Sequence, residues 1–491
     1  MNYTHTKTVL AVVEELLKVK LRMKRKKLFK ALLLNVRKLS LNAAQKVEND
    51  ESFRASDSES EYINALKEIS LLSEKTKEEQ DEYLLNLLKR LQNNVPKFKA
   101  AFYTQEYYLW PSFESIYREV EKKEDAVSRV VYVYDNGYGA KLKDEKYSAN
   151  IADYKNGGIN ILQMEEFDMA KEAPDAVFYM KPYRGYHACP EKFYVNETEK
   201  HVKYTFFVSY CLDVQGGREL IRYFYALPAF YHMYRVIAYS NYYYNMMKRY
   251  GFKNGENAVR IGHPKLDCAY ETIRKKAFIR EDWQKKLAGK KAVLWNTHFT
   301  VAKGKGVGTF YSYKGAMLKY FKEHKDIALI WRPHPLFWEE IKKQEGYCEE
   351  EFSAFLREMK AQDNIIIDDS GDYRYSFAMS CALISDAATF LVEYGATGYP
   401  VLYTAKEDGE FIINEDYLKT VKTAYSEKDV TDFLDAVRLG EETENERRRE
   451  SFKNEFGNID GNNGKRIYEY ARSEIDDDIL KTAKALLKNA R

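Results

Sequence analysis

Short apolar runs that end abruptly in polar residues recur in the second half of the chain, and each predicts a buried strand. Five such runs end near residues 261, 297, 332, 367 and 384. Lys, Arg, His, Asp or hydroxyl side chains follow each run, and an amphipathic segment typical of a helix follows the last one. Ligands of open α/β sheets bind where strands end and helices begin. The pattern therefore predicts an α/β sheet with a polar binding edge.

The last run precedes the most informative turn. Residues 381–384 predict a strand, and Ser385 and Asp386 are good N-cap residues for the helix that follows. Thr389 lies within the first turn of this helix and offers a hydroxyl group. Because the first N–H groups of a helix are unpaired, they bind anions. We therefore expect phosphate at residues 385–389, with an ordinary strand–helix turn as the alternative.

The other strand ends supply further candidate side chains. They are His263 and Lys265 after the first run, Asn296 and Thr297 after the second, Arg332 and His334 after the third, and Asp368 and Asp369 after the fourth. Prolines on both sides of His334 restrict the backbone and hold the ring in place. The two aspartates alone are a weak signal, so the sequence indicates neither a metal nor another cofactor.

Composition narrows the class of protein. The 491 residues are enough for two or three domains, and 78 Lys and Arg against 75 Asp and Glu make the chain nearly neutral. Bulk nucleic-acid binding is therefore not expected. The five cysteines show neither paired nor metal-ligand spacing, which predicts reduced thiols in a cytoplasmic protein. No apolar run is long enough to cross a bilayer and no signal peptide is visible, so no membrane span is expected.

The first 95 residues contain neither Gly nor Pro and are strongly biased toward helix. Residues 7–42 carry apolar side chains at helical spacing, and the stretch from Lys7 to Lys38 holds eleven Lys or Arg against two Glu. Such a helix can lie on an anionic membrane surface, where each basic residue contributes about 1 kcal/mol. The alternative is a helix that packs on its own protein and leaves its basic face in water. A second helical segment is expected over residues 62–95.

From Pro96 onward the pattern changes to α/β. Residues 128–134 predict a strand that enters a glycine turn, but the turn lacks the third glycine of a dinucleotide fingerprint, so NAD is not expected. A further strand over residues 176–181 leaves four polar side chains at its end: Lys181, Tyr183, Arg184 and His187. We expect them to face a cleft, although for His187 a plain surface loop is the alternative.

Four short blocks, taken in their order and spacing, resemble the CDP-glycerol glycerophosphotransferase family. They are Gly-His-Pro-Lys-Leu-Asp (262–267), Trp-Arg-Pro-His-Pro (331–335), the segment from Ser385 to Tyr394, and Asp-Gly-Asn-Asn-Gly-Lys-Arg-Ile (460–467). The resemblance covers roughly residues 97–475. Members of this family are polymerases and primases of teichoic-acid and capsule-type polymers. They transfer glycerol phosphate from CDP-glycerol to an acceptor hydroxyl and release CMP.

The resemblance implies a fold and a domain plan. Two Rossmann-like domains would face each other across a cleft, the architecture called GT-B, behind an N-terminal helical extension. The implied segments are residues 1–95 for the extension, 96–250 for an acceptor domain, 251–440 for a nucleotide-donor domain, and 441–491 for helices that fold back.

The resemblance also implies roles for the candidate residues. Arg332 and Lys265 would neutralise the charge that develops on the leaving CMP. The other donor-binding side chains would be His263, Asn296, Thr297, Ser385, Asp386 and Thr389. Glu393 would bind a ribose hydroxyl, with a surface carboxylate as the alternative. For His334 a phosphate hydrogen bond, proton transfer and a structural role in the core all stay open.

The sequence departs from the family at two places. The usual block Trp-His-Gly-Thr-Pro-Leu-Lys supplies a His thought to act as base, but residues 225–232 read Tyr-Ala-Leu-Pro-Ala-Phe-Tyr-His. His232 is therefore the substitute candidate for the base. The paired serines of the phosphate turn are replaced by Ala388 and Thr389.

The expected function is transfer of glycerol phosphate, or a related polyol phosphate, from a CDP-polyol donor to a polymeric or lipid-linked acceptor. The protein would be cytoplasmic, either free or peripheral on the anionic inner face of the plasma membrane. Two alternatives stay open: a nucleotide-sugar glycosyltransferase or epimerase on the same fold, and a non-catalytic, membrane-associated member of the family.

Overall fold

Two parallel β-sheets form the body of the protein, and helices cover both faces of each sheet. The computed structural model describes residues 2–22, 33, 36–37, 57–133, 143–181, 189–212, 215–216, 221–222, 224–274, 278–301, 306–386, 388–406, 412–413, 421–442 and 445–488. In chain order the strands are β1 (Phe98–Thr104), β2 (Ala126–Tyr132), β3 (Ile161–Gln163), β4 (Ala176–Tyr179), β5 (Tyr204–Phe207), β6 (Gln215–Gly216), β7 (Arg235–Ala238), β8 (Ala258–Arg260), β9 (Lys291–Thr297), β10 (Ile327–Pro333), β11 (Ile365–Ile367), β12 (Ala382–Ser385), β13 (Val401–Thr404), β14 (Ile412–Ile413) and β15 (Lys422–Ala424).

Both sheets have the doubly wound topology. The first has the order β3-β2-β1-β4-β5-β7-β8 and the second the order β11-β10-β9-β12-β13-β15. Strands β6 and β14 form a small antiparallel pair that joins the two domains. The strand order reverses beside β1 in one sheet and beside β9 in the other, and ligands of such folds bind at the carboxyl ends of the strands near this reversal.

The helices follow the periodicity of their apolar residues. In chain order they are α1 (Tyr3–Arg22), α2 (Asp57–Leu71), α3 (Lys77–Asn93), α4 (Glu114–Glu121), α5 (Lys143–Asn156), α6 (Met169–Glu172), α7 (Val195–Thr198), α8 (Ala229–His232), α9 (Asn241–Tyr250), α10 (Pro264–Arg274), α11 (Glu281–Leu287), α12 (Phe310–Glu323), α13 (Phe337–Glu340), α14 (Glu349–Ala361), α15 (Arg374–Ala378), α16 (Ala388–Gly395), α17 (Glu427–Leu439), α18 (Asn445–Phe456) and α19 (Asn463–Lys488).

The strands are nearly continuous apolar runs because helices bury them on both sides. In β10 all seven residues are buried, and β4 and β5 are buried along their whole length. Aromatic side chains fill much of this interior, including a stacked series of Phe102, Phe178 and Phe206 across neighbouring strands of the first sheet. The prediction of two Rossmann-like α/β domains is confirmed.

The predicted helical extension is present and packs against the C-terminal helix. Val9, Val12, Val13 and Leu16 on α1 are fully buried in a core shared with α2, α3 and the end of α19. The Tyr3 hydroxyl accepts a hydrogen bond of 2.9 Å from Arg472 of α19. The apolar face of α1 is therefore covered by protein, which is the alternative to the membrane-lying helix that the sequence left open.

Most of the basic segment that motivated the membrane expectation, residues 23–32 and 38 among them, lies outside the described residues. In the part of the chain that is described, no helix combines the length and the apolar character needed to span a bilayer.

Candidate active site

The carboxyl edges of the two sheets face each other across a cleft. A cavity of about 590 Å³ lies between them. Tyr107 and Tyr108, which follow β1, line it from the first domain, and Arg332 at the end of β10 and residues 368–371 after β11 line it from the second. Asn150 and Asp153 of α5 complete the first-domain wall. Two of the predicted polar strand ends, those of β10 and β11, thus border an interdomain space.

Asn296 joins three neighbouring strands at this edge. The register places it opposite Arg332 on one side and Ser385 on the other. Its amide donates to the carbonyl oxygen of Arg332 at 2.9 Å and accepts from the Ser385 hydroxyl at 3.0 Å. Thr297, the next residue, accepts a hydrogen bond from the Trp331 indole at 3.2 Å. These predicted donor-binding groups therefore lie together, and their side chains also stabilise the edge itself.

Asp386 binds the loop that follows β9. Its carboxylate accepts hydrogen bonds from the backbone N–H groups of His298 at 2.7 Å and Thr309 at 2.6 Å. Burial raises the pKa of this carboxyl to about 6, against the effect of the hydrogen bonds that it accepts. Asp386 is buried and thus holds His298 and Thr309 beside the helix turn. Residues 302–305, between these two, lie outside the described residues.

Helix α16 begins at Ala388, directly beyond this carboxylate, and half-buried Thr389 lies in its first turn. The first N–H groups of an α-helix have no intrahelical acceptor. The end of β12 thus leads into a helix N-terminus with a hydroxyl residue, which is the local geometry that the sequence predicts for residues 385–389.

Two histidines lie next to each other at the ends of β9 and β10. The ring centroids of His298 and His334 are 5.5 Å apart, and the Phe299 ring lies 4.7 Å from that of His334. The backbone N–H of His334 donates to the carbonyl of Thr297 at 2.8 Å, and the ring Nδ1 of His334 accepts from the backbone N–H of Leu336 at 3.1 Å. Burial lowers the pKa of His298 to about 4, so this ring is neutral at physiological pH.

Arg332 is buried but keeps one side at the cavity. Its guanidinium donates to Asp368 at 2.6 Å and to the carbonyl of Ser370 at 2.9 Å. Asp368 also accepts bonds from the backbone and hydroxyl of Ser370. The positive charge of Arg332 is therefore balanced by a buried carboxylate, and the arginine is rigidly oriented where it lines the interdomain space.

Lys265 and Glu393 form a buried ion pair. The ammonium lies 2.7 Å from the carboxylate, and the side chains are 4% and 0% exposed. The Tyr373 hydroxyl donates to the other carboxylate oxygen at 2.5 Å. The pair connects α10 with α16, so neither charge is directed to solvent. Both residues had been expected at the donor, and in this structure they bind each other.

His263 lies in the protein interior, in surroundings typical of a residue that stabilises the fold. It is fully buried, its Nε2–H donates to the carbonyl of Ser209 at 2.7 Å, and its Nδ1 accepts from the Lys265 N–H at 3.1 Å. Burial lowers the pKa of His263 to about 3. The neutral ring therefore couples the end of the first sheet to the start of α10.

The structure does not bring His232 together with the other candidates. His232 ends α8, just before the amino end of β7, and its Nδ1 lies 2.5 Å from Glu199 in a separate cavity. Because the cleft lies at the carboxyl ends of the strands, His232 is on the opposite side of the first sheet. His232 had been suggested as the base because it stands where the family block supplies a His. Its position in the sequence did not show at which end of a strand it would lie.

Three features of the site were not predicted from the sequence: His298, Tyr373, and the pairing of Asp368 with Arg332. His298 directly follows Asn296 and Thr297, so extending β9 by one residue would have found it. Tyr373 was missed because it contacts Glu393 only through the tertiary fold, and Asp368 was noted as an acid but not as the partner of Arg332. Tyr183, Arg184 and His187 lie outside the described residues. Among the described residues no three His, Cys, Asp or Glu side chains are grouped as metal ligands.

Solved structures with similar folds include two kinds of enzyme. One is a histidine-to-alanine variant of the wall teichoic acid polymerase TagF, which is 14% identical with a TM-score of 0.50 and covers 85% of this chain and 99% of that chain. Another is the UDP-GlcNAc 2-epimerase from Neisseria meningitidis bound to UDP-GlcNAc, which is 11% identical with a TM-score of 0.51 and covers 77% and 100%. At these identities the likeness concerns the fold alone.

No curated protein sequence matches the chain. The family described as CDP-glycerol:poly(glycerophosphate) glycerophosphotransferase matches residues 227–472, half of the chain. The matched segment contains the whole second sheet, with His298, Arg332, His334 and α16, and also the start of α19. The match confirms the resemblance seen in the short sequence blocks. The chain therefore belongs to the CDP-glycerol glycerophosphotransferase family of transferases.

Proposed function

We propose that the protein transfers glycerol phosphate, or a related polyol phosphate, from a CDP-activated donor to a hydroxyl of a cell-surface polymer or its lipid-linked precursor. The observation that supports this most directly is the grouping of His298, His334 and the N-terminus of α16 at the carboxyl edge of the second sheet, within the family-matched segment. Imidazole N–H groups, a hydroxyl and helix N–H groups are donors that suit a pyrophosphate.

The reaction follows from the chemistry of the donor. The acceptor oxygen forms a new bond to the phosphorus that carries glycerol, and the bond from this phosphorus to the bridging oxygen breaks. CMP leaves with the electron pair, and the acceptor hydroxyl loses its proton. Catalysis of such transfers consists mainly of positioning and charge stabilisation.

In this proposal His334 and Thr389 hydrogen-bond the pyrophosphate, and His298 orients His334 through ring contact. Arg332 contributes the guanidinium N–H groups that remain beyond its bonds to Asp368 and Ser370. Asn296, Thr297, Ser385 and Asp386 hold the edge in shape. Lys265 and Glu393 hold α16 in place, and Glu393 reaches a ribose hydroxyl only if the ion pair opens when the donor binds.

The test measures CMP release from CDP-glycerol and CDP-ribitol with a synthetic oligo(glycerol phosphate) primer. His334→Asn should lower kcat/KM by about 100-fold, the usual effect of removing one preorganised donor. His324→Asn is the matched control, because His324 is half-buried at the opposite, amino edge of the same sheet. Equal activity of the H334N variant and the wild type would contradict the site.

Ligand-dependent melting separates the alternatives. A ligand at 100 times its Kd stabilises the folded protein by about 2.7 kcal/mol. A higher melting temperature with CDP compounds alone supports polyol-phosphate transfer. A shift with UDP- or GDP-sugars instead would favour glycosyl chemistry or epimerisation, and no shift with any nucleotide would favour a non-catalytic protein.

Peripheral placement on the anionic inner face of the membrane is part of the proposal. The sequence from Lys18 to Lys38 contains ten Lys or Arg and no Asp or Glu, and each basic residue near an anionic surface contributes about 1 kcal/mol. The protein should sediment with phosphatidylglycerol vesicles and not with phosphatidylcholine vesicles. A variant with Gln at residues 24–27 should lose this binding, and unchanged sedimentation would contradict the role of the segment.

A further inference from the structure

A polar cluster at the carboxyl edge of the first sheet has no role in the reaction as described so far. Gln105 and Glu106 follow β1, an inner strand of the sheet, and Lys181 follows the neighbouring strand β4. These ends belong to the domain opposite the donor-side residues. Tyr107 and Tyr108, the next two residues of the chain, line the interdomain cavity that Arg332 lines from the other side.

Gln105 is buried without using its amide group. The residue is 1% exposed, and neither its amide nitrogen nor its amide oxygen has a hydrogen-bond partner among the described residues. Its backbone, in contrast, is firmly held, since the carbonyl accepts a bond of 2.8 Å from the buried Tyr154 hydroxyl. Leaving both ends of a buried amide unpaired costs folding free energy, so such groups call for an explanation.

Glu106 has a counter-charge but also an unused acceptor. The Lys181 ammonium lies 3.7 Å from Oε2, too far for a hydrogen bond, and Oε2 is buried with no hydrogen-bond partner in the described part of the chain. Lys181 itself is 8% exposed and lies 5.2 Å from the centre of the Tyr210 ring. The lone pairs of Oε2 are therefore not used by any donor in the described part of the chain.

We propose that Gln105 and Glu106 form the subsite for the acceptor hydroxyl and that Glu106 receives its proton. The inference rests on the proposed phosphotransfer. The hydroxyl hydrogen-bonds to Glu106, and the amide of Gln105 binds a neighbouring oxygen of the acceptor. As the oxygen–phosphorus bond forms, the O–H proton passes to Glu106, and the departing CMP takes the electron pair of the broken bond. The ligand class is a polyhydroxylated chain end.

Glu106 would then serve as the base, the role assigned in the family to the His of the Trp-His-Gly-Thr-Pro-Leu-Lys block that this chain lacks. His232 lies at the amino edge of the sheet, and His263 is enclosed by Ser209 and Lys265. Among the described residues, Lys181 on the β4 side and Tyr154 on α5 interact electrostatically with Glu106, and Tyr210 lies beside Lys181. A carboxylate is a competent general base when it is within reach of the hydroxyl.

The first experiment compares Glu106→Gln with the exposed control Glu165→Gln in the full-length protein. CMP release from CDP-glycerol is measured with an oligo(glycerol phosphate) primer across pH, and CDP-glycerol binding is measured by melting. The E106Q variant should lose about 100-fold in kcat and lack the acidic limb of the wild-type pH profile, with the donor-induced melting shift unchanged. The E165Q variant should match the wild type in all three.

A second variant separates ligand binding from structure. Gln105→Leu removes both unpaired polar atoms, so it should keep or raise the melting temperature while raising the KM for the primer about tenfold, the effect of one lost hydrogen bond. Wild-type kinetics in either variant, or loss of the donor shift in E106Q, would overturn the assignment while leaving the phosphotransfer intact. A wild-type protein that turns over no CDP-polyol would remove both proposals.

Discussion

Replacing Glu393 by Gln should strongly destabilise the second domain, because it leaves the buried Lys265 ammonium without a counter-charge. The two charges are 2.7 Å apart and their side chains are almost fully buried. With an effective dielectric constant of about 20, their attraction is about 6 kcal/mol. Loss of water around both groups offsets much of this, and removing one partner of such pairs typically costs about 3–5 kcal/mol. We expect a loss in that range for E393Q.

The double variant Lys265→Met with Glu393→Gln provides the matched control. It removes the unpaired charge and keeps an amide oxygen that can accept the Tyr373 hydroxyl bond. Its free energy of unfolding should lie within about 1–2 kcal/mol of the wild type, because replacing both members of a buried pair is often nearly neutral. The double variant should therefore be more stable than E393Q alone.

Urea unfolding followed by tryptophan fluorescence is a suitable assay. Four of the five tryptophans, at positions 283, 295, 331 and 338, lie beyond the first sheet in the sequence, so the signal reports mainly on the second domain. An E393Q variant within about 1 kcal/mol of the wild type would refute the reasoning, because breaking a buried pair is expected to cost more. So would a double variant less stable than E393Q, since the unpaired charge would then not be the cause.

Two further predictions follow from other buried groups. Burial lowers the pKa of His263 to about 3, so the stability that its neutral ring provides is complete above pH 6.5 and is lost as the unfolded chain takes up the proton at lower pH. Between pH 7.5 and pH 5 the wild type should lose about 2 kcal/mol more in urea unfolding than His263→Asn; equal losses would contradict the burial argument. Gly464→Ala should release α19, because the added Cβ would clash with the backbone of Ser115, and limited proteolysis should then cleave near the C-terminus. Gly315→Ala, which meets nothing within 4 Å inside α12, should instead stabilise by about 0.5–1 kcal/mol, and equal protease resistance of the two variants would argue against the packing effect.

The local pattern of apolar and polar residues was sufficient to predict the parts of the fold that depend on a single segment. The apolar run of β10 and its ending in Arg332 and His334 predicted a buried strand with polar groups at its carboxyl end, and the structure shows both. The turn into α16 likewise followed from Ser385 and Asp386. These features depend on backbone chemistry and burial within a few residues, and both can be read from the local sequence.

The pairing of side chains depends on contacts between distant segments and was not readable. Lys265 binds Glu393 across 128 residues, and no local signal showed that the two charges would neutralise each other. Asp386 was expected to cap α16, but it binds the N–H of Thr309, 77 residues earlier. His232 failed to join the cleft because its helix precedes a strand instead of following one. The type of a residue indicates which chemistry its side chain can perform, whereas the tertiary packing determines which partner that side chain contacts.

The contact between α1 and α19 sets the order in which these two helices can pack during synthesis. Helix α1 is made long before α19, yet part of its binding surface is α19. Until α19 is made, α2 and α3 are the described helices that can cover Val9, Val13 and Leu16. Completion of this helical layer therefore waits for α19, and a chain truncated before α19 exposes part of an apolar stripe of the kind that chaperones bind.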